Sequence, residues 1–167
     1  RLHLDIGARF LMQHLPLVEG EHVVDLGCGN GVIGCNILHN APNAKVTFVD
    51  ESYMAVASAK RNVAINFPDQ VDQCDFIVAN CLANVELSHI DLVLCNPPFH
   101  QQNAVTDHIA WQMFKDAHRV LHHAGELRII GNRHLPYGEM LKKRFGGFTV
   151  TATNKKFSIL STFKNAK

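Results

Sequence analysis

Asp25-Leu26-Gly27-Cys28-Gly29-Asn30-Gly31 decides how this chain is organised. It completes His22-Val23-Val24-Asp25-Leu26, an apolar run of the kind buried on both faces of a sheet. It leads into Val32, Ile33, Ile37 and Leu38, which share one face of a helix. Glycines where a strand becomes a helix permit a tight turn and close approach of a ligand to the backbone, at the carboxyl edge of a sheet. The next apolar run, Lys45 to Val49, ends in Asp50, 25 residues after Asp25. An acid at that place can accept both hydroxyls of a ribose.

The alternation continues outward. A helix is expected from Ser52 to about Asn66, then strands at Cys74 to Val78 and Ile90 to Cys95. A helix from Thr106 to about His122 precedes a strand at Glu126 to Ile130. Pro136 opens a further helix at its first position, where the missing N–H costs nothing. Phe148 to Thr153 and Phe157 to Phe163 form a closing hairpin around Asn154-Lys155-Lys156. The expected class is α/β, a mostly parallel sheet with helices on both faces and an antiparallel hairpin at the C-terminal end. Strand order does not follow from the pattern.

Composition agrees with one packed unit over residues 1–167. Apolar residues are 47% and charged residues 19% of the chain, which excludes a disordered tail. No apolar run approaches the ~18 residues that span a bilayer, and the start is no signal peptide. Five cysteines without a Cys-x-x-Cys pair point to free thiols, a reducing cytoplasmic setting and no zinc site. The chain begins without Met, as a domain excised from something longer would.

The glycines distinguish between nucleoside ligands. A dinucleotide fingerprint places its third glycine three residues past the second, seating a pyrophosphate on the helix N-terminus. Here the glycines alternate, and Asp25 precedes them by two residues. A carboxylate repels phosphate but suits a cationic amine. S-adenosylmethionine combines a ribose with an ammonium and a carboxylate, and a hydride-transferring dehydrogenase is disfavoured.

Asn96-Pro97-Pro98-Phe99 follows the fourth strand directly. Two prolines stop the ladder and hold a rigid turn. An exocyclic amine on a base is planar, with its lone pair delocalised into the ring, so it is a poor nucleophile. The Asn96 side-chain carbonyl and the Pro97 backbone carbonyl can each accept one N–H, favouring a pyramidal nitrogen. Phe99 would stack on the base, a contact worth ~1–3 kcal/mol. Alignment supplies much of the rate in such a transfer, so no histidine is needed as general base.

At these residues the sequence resembles the class I S-adenosylmethionine-dependent methyltransferases over nearly its whole length. The resemblance implies a Rossmann-like, seven-stranded fold. The tetrapeptide resembles that of enzymes methylating planar amines, and with His100 it is most similar to the guanine-N2 methyltransferases of ribosomal RNA. Arg1-Leu-His-Leu-Asp-Ile-Gly7, Phe48-Val-Asp-Glu-Ser52, Asn96-Pro-Pro-Phe-His-Gln-Gln102, Gly131-Asn-Arg-His-Leu-Pro-Tyr137 and Thr153-Asn-Lys-Lys-Phe157 match that group. His100-Gln101-Gln102 and Asn132-Arg133-His134-Leu135 look closest to its large-subunit members.

The implied activity is methyl transfer to guanine N2 in 23S RNA. The alternatives are guanine N2 in 16S RNA and protein glutamine Nδ. A non-catalytic RNA-binding module is the reading from a different class. The implied partner is protein-free or partly assembled ribosomal RNA, with a companion domain N-terminal to this one. Carried over by position, Asp25, Gly27, Gly29 and Gly31 would line the methionine end of the cofactor. Gly7 would close over its carboxylate, and Asp50 would hold the ribose, with Glu51 and Ser52 beside it. Many relatives place an acid against the adenine after strand three, where this chain has Asn80-Cys81-Leu82.

The net charge of +1 hides an asymmetry. Residues 1–100 carry 5 basic and 11 acidic side chains, a balance of −6, whereas residues 101–167 carry 11 and 4, a balance of +7. Arg128, Arg133, Lys142, Lys143, Arg144, Lys155 and Lys156 all fall in the basic part, the footprint expected of a surface that meets RNA phosphates. His118, His122 and His123 are expected near the end of the Thr106 helix, in structural roles.

Overall fold

The computed structural model describes residues 5–98 and 104–165. Seven strands form one sheet: β1 His22–Leu26, β2 Lys45–Asp50, β3 Cys74–Val78, β4 Ile90–Cys95, β5 Leu121–Asn132, β6 Thr149–Thr153 and β7 Phe157–Phe163. Their order is β3-β2-β1-β4-β5-β7-β6. The pairs among β1 to β5 are parallel, and β7 pairs antiparallel with both β5 and β6. The chain winds outward from β1 to β3, then returns to β4 on the other side of β1. The carboxyl ends of β1 and β4 therefore flank a switch point, where open α/β sheets hold ligands.

Five helices cover the sheet: α1 Ile6–Met12, α2 Val32–Asn40, α3 Tyr53–Asn66, α4 Ala104–Val120 and α5 Tyr137–Phe145, with a 3₁₀ turn at Pro68–Gln73. Side chains alternate across each strand, so β1 sends Val23 to one face and Val24 to the other. Val23 joins Leu11, Ile37, Phe48 and Val63 under α1, α2 and α3. Val24 joins Met113, Phe114, Leu127 and Leu141 under α4 and α5. Among the described residues, no helix is long and apolar enough to cross a membrane. All five cysteines are unpaired.

Three boundaries differ from expectation. First, α1 is a helix that the apolar pattern did not call for. Asp5 caps it by accepting from the Gly7 and Ala8 N–H groups at 2.8 and 3.4 Å. Second, α4 ends at Val120, and β5 begins at once with Leu121, which pairs with Ile90 of β4. His122 and His123 thus belong to a strand and not to the helix, and only His118 lies in α4. Asp91 holds that junction, accepting from the His22 N–H at 2.8 Å and lying 2.7 Å from His122 Nε2. A helical period cannot report such a partner on another strand. Third, Pro136 occupies the N-cap of α5, one residue before the position expected.

Candidate active site

A cavity of about 560 Å³ opens at the carboxyl ends of β1, β2 and β4, within the range that holds small-molecule ligands. Its walls include Gly27, Cys28, Gly29 and Asn30 after β1, Asp50 and Glu51 after β2, and Asn80 and Cys81 after β3. Asn96, Pro97 and Pro98 after β4 complete it, with Asp5, Ala8, Ile109 and Met113 from α1 and α4. Phe99 and His100 lie outside the described residues.

The glycine loop is held by β2. Val49 O accepts from the N–H groups of Gly27 and Cys28 at 2.8 and 2.9 Å. Asp50 Oδ2 accepts from the Gly29 N–H at 2.9 Å, and Oδ1 from the Ser52 N–H at 2.9 Å. The donors that a pyrophosphate would require are therefore engaged within the protein. Gly29 has φ +53°, and a Cβ there would meet no atom within 4 Å, so the backbone itself forms that part of the wall. Gly31 serves packing: its φ is +84°, and a Cβ would come within 2.8 Å of Ala59 Cβ. It caps α2 and is absent from the cavity wall.

Asp25 is turned away from that wall. It is 1% exposed, and its Oδ2 turns to the first turn of α2, accepting from the Gly34 N–H at 3.0 Å. Burial pushes its carboxyl up to about 7, the Gly34 bond opposes this, and the charge of Asp50 adds to it. Asp25 thus sits behind the loop and outside the cavity wall. Gly7 is buried within α1, and Ser52 is the α3 N-cap, accepting from the Ala55 N–H at 3.2 Å. Neither reaches the wall.

Asn80 and Cys81 do line the cavity, and the loop that carries them is clamped by α4. Asp116 Oδ2 accepts from the Leu82 N–H at 3.0 Å, and its Oδ1 from Gln112 Nε2 at 2.8 Å. Arg119 donates to Leu82 O at 2.8 Å and to Val85 O at 3.3 Å. Cys81 takes φ +51° in this clamp. Burial, then Asp116 and Glu51, push its thiol up to about 11, so it is a neutral wall atom and no nucleophile. Reading the sequence missed Asp116 and Arg119, because nothing in their local pattern ties them to a loop 34 residues away.

Asn96 is different from everything around it. Its Nδ2 donates to Asp5 Oδ2 at 3.1 Å. Its Oδ1 is shut off from solvent and accepts no hydrogen bond; no other buried side-chain polar atom among the described residues lacks a partner. An unmet buried acceptor costs about 1–3 kcal/mol until a donor reaches it. A ligand amine would be such a donor.

The basic residues divide. Arg133 lies just past β5, donating through its backbone to Lys156 O at 3.0 Å and through its side chain to Asn154 O at 3.3 Å. Because Asn132 pairs with Phe157, this places Arg133, Lys155 and Lys156 together at the carboxyl edge of β5. Lys142, Lys143 and Arg144 occupy the last turn of α5. That helix runs ~14 Å away from the edge, so these three lie apart from the site. Arg128 is taken up inside: it donates to Glu126 Oε2 and to His14 O, both at 2.6 Å, which anchors the segment after α1.

A family model for the methyltransferase small domain matches residues 1–161. Ribosomal RNA large subunit methyltransferase G of Pseudoalteromonas atlantica is 58% identical over 98% of this chain, and that of Cronobacter sakazakii 62% identical over all of it. In each case the chain spans 44% of the relative's length. The T. thermophilus 16S rRNA N2 methyltransferase, solved with AdoMet and guanosine, superposes with a TM-score of 0.85 at 23% identity, over 98% of this chain and 44% of its own. That likeness shows the fold, Rossmann-like with an antiparallel C-terminal end. By its sequence match over most of its length, the chain belongs to the methyltransferase small domain family.

Proposed function

We propose that the chain transfers a methyl group from S-adenosylmethionine to the exocyclic N2 amine of a guanine in 23S ribosomal RNA. Asn96, which lines the wall shared with Asp50 and the glycine loop and holds an unmet Oδ1, carries this reading. The large-subunit relatives support the choice of RNA. The same reading makes this chain the C-terminal catalytic part of a two-domain protein, supported by the greater length of those relatives.

The wall fits the cofactor. Gly29 leaves backbone bare to it, Asp50 keeps lone pairs for ribose hydroxyls after meeting its two backbone donors, and Asn80 offers an amide beside the place for adenine. When bound, S-adenosylmethionine supplies a methyl on a sulfonium whose leaving group is a neutral thioether. Asn96 Oδ1 accepts one N–H of the target amine and Pro97 O the other, turning the nitrogen lone pair out of conjugation. With the methyl donor bound, the nitrogen lone pair would take the methyl carbon as the neutral thioether leaves, and the surplus proton would pass from nitrogen to water. The target guanine must be splayed out of any helix to enter. Arg133, Lys155 and Lys156 meet its flanking phosphates, whereas Lys142, Lys143 and Arg144 are left to a remoter contact.

The protein is incubated with methyl-labelled S-adenosylmethionine and 23S RNA, 16S RNA or translation-factor protein, the RNAs taken from a strain lacking it. Mass spectrometry of the digests should find N2-methylguanosine from 23S RNA. Label on 16S RNA alone would replace the substrate, and label on protein glutamine alone would overturn the RNA reading.

A further inference from the structure

A primary amide is nearly symmetric in shape: rotating its terminal torsion exchanges nitrogen for oxygen at small cost. Something must therefore decide which atom of Asn96 is offered to a substrate. Among the described residues the partner of its side chain is Asp5, whose Oδ2 accepts from Nδ2 at 3.1 Å across 91 residues of sequence. An ionised carboxylate accepts and cannot donate, so it admits only the orientation that hands it the nitrogen. The other oxygen of Asp5 is occupied at the N-cap of α1 by the Gly7 and Ala8 N–H groups. Nor is α1 a loose arm: Leu11 is fully buried, Ala8 nearly so, and Arg128 holds the carbonyl of His14 just beyond the helix.

We propose that Asp5 is a positioning residue for the transfer, using its second carboxylate oxygen to lock the Asn96 amide with the carbonyl free for the target amine. The proposal rests on the reading of Asn96 as acceptor of that amine. It makes a sharp statement about Asp5→Asn. Asparagine caps a helix as well as aspartate does, so α1 persists. Its own Nδ2 then faces Asn96 and draws Oδ1 toward itself, removing the acceptor from the substrate.

The test measures Asp5→Asn, Asn96→Asp and the double variant in the whole protein. For Asp5→Asn the expected result is an unchanged melting temperature, S-adenosylmethionine affinity within about threefold by calorimetry, unchanged KM for RNA, and kcat lower by about 10²-fold. In the double variant the carboxylate at position 96 accepts from the amide at position 5 with one oxygen and offers the other. Its kcat should recover at least about tenfold over Asp5→Asn, and exceed that of Asn96→Asp alone, where two carboxylates repel. In ¹⁵N NMR without substrate, the Asn96 side-chain amide signals should shift in Asp5→Asn. Wild-type kcat in Asp5→Asn, or no recovery in the double variant, overturns the proposal. If the wild-type protein methylates no guanine, the functional reading fails; unmoved Asn96 signals in Asp5→Asn would overturn the Asp5 proposal separately.

Discussion

The two walls of the cavity differ in how their polar atoms are met. On the β1–β2 side, Val49 O, both oxygens of Asp50 and the N–H groups of Gly27, Cys28 and Gly29 all have partners within the protein. On the β4 side, Asn96 has one end tied to Asp5 and the other tied to nothing. A wall that only binds gains from being complete before the ligand arrives, since less ordering is then required. A wall that must bend the geometry of a substrate nitrogen gains from an acceptor that stays unmet until that nitrogen comes. Its desolvation cost in the empty state is released when the substrate donates, which favours the reacting pose.

The strongest way to break this contrast is Asn96→Ala. Turnover in single-turnover assays should fall by about 10²–10³-fold, as when one polarising hydrogen bond is lost. Cofactor affinity by calorimetry should stay within about threefold, because the β1–β2 wall is untouched. A tenfold loss of affinity would instead put Asn96 on the binding side.

Within the glycine loop, two alanine substitutions should separate packing from binding. Gly31→Ala strains a left-handed position and drives a methyl against Ala59 and the Phe48 ring. That combination costs about 2–3 kcal/mol, seen as a melting temperature lower by roughly 4–12 °C. Gly29→Ala meets open space and bears only the backbone strain of about 1–2 kcal/mol. Its main effect should be on cofactor affinity, weaker by about tenfold in calorimetry. Equal melting temperatures for the two would show that the contact with Ala59 is not what Gly31 is for.

A pH-dependent effect concerns the carboxylate behind the loop. Asp25 has a folded value near 7 against an ordinary 3.8, so the folded protein holds that proton more tightly than the unfolded chain. Its contribution to stability is complete below about 3.8 and is lost as pH rises toward 7. Asp25→Asn does not titrate there. The melting temperature of D25N relative to wild type should therefore climb between pH 4 and pH 7 and level off above. A flat difference would mean that Asp25 is ionised throughout.

Much of this arrangement was legible in the residues. Strands β1 to β4 are short, largely apolar runs whose extents followed closely from the pattern, with glycine after β1, Asp50 ending β2 and Asn96-Pro97 after β4. Gly27, Gly29, Asp50 and Asn96 could be named because each lies at or just past the carboxyl end of such a strand, at the edge where parallel sheets bind. What escaped depends on closure through space. Asp5 looked like part of a matching segment, although an Asp before Ala8 and Leu11 at helical spacing is a start signal for α1. Asp116 and Arg119 carry no local sign of their role, and only the folded chain brings Leu82 to them. Asp25 was assigned to the methionine end from its place two residues before the glycines. Strand alternation turns it instead toward α2, away from the cavity. The charge split was visible, but sequence position could not separate the lysines at the β6–β7 turn from those at the far end of α5.

The bonds that fix α1 join distant parts of the chain, 91 residues apart for Asp5 and Asn96 and 114 for Arg128 and His14. Contacts of such separation form late, because the entropy of closing the loop must be met before they contribute. The pairing of β1 with β4 also joins distant segments, Val23 lying opposite Leu92. Asp5 and Ala8 line the cavity as well, so the helix that supplies the partner of Asn96 Nδ2 is also the one that completes the wall.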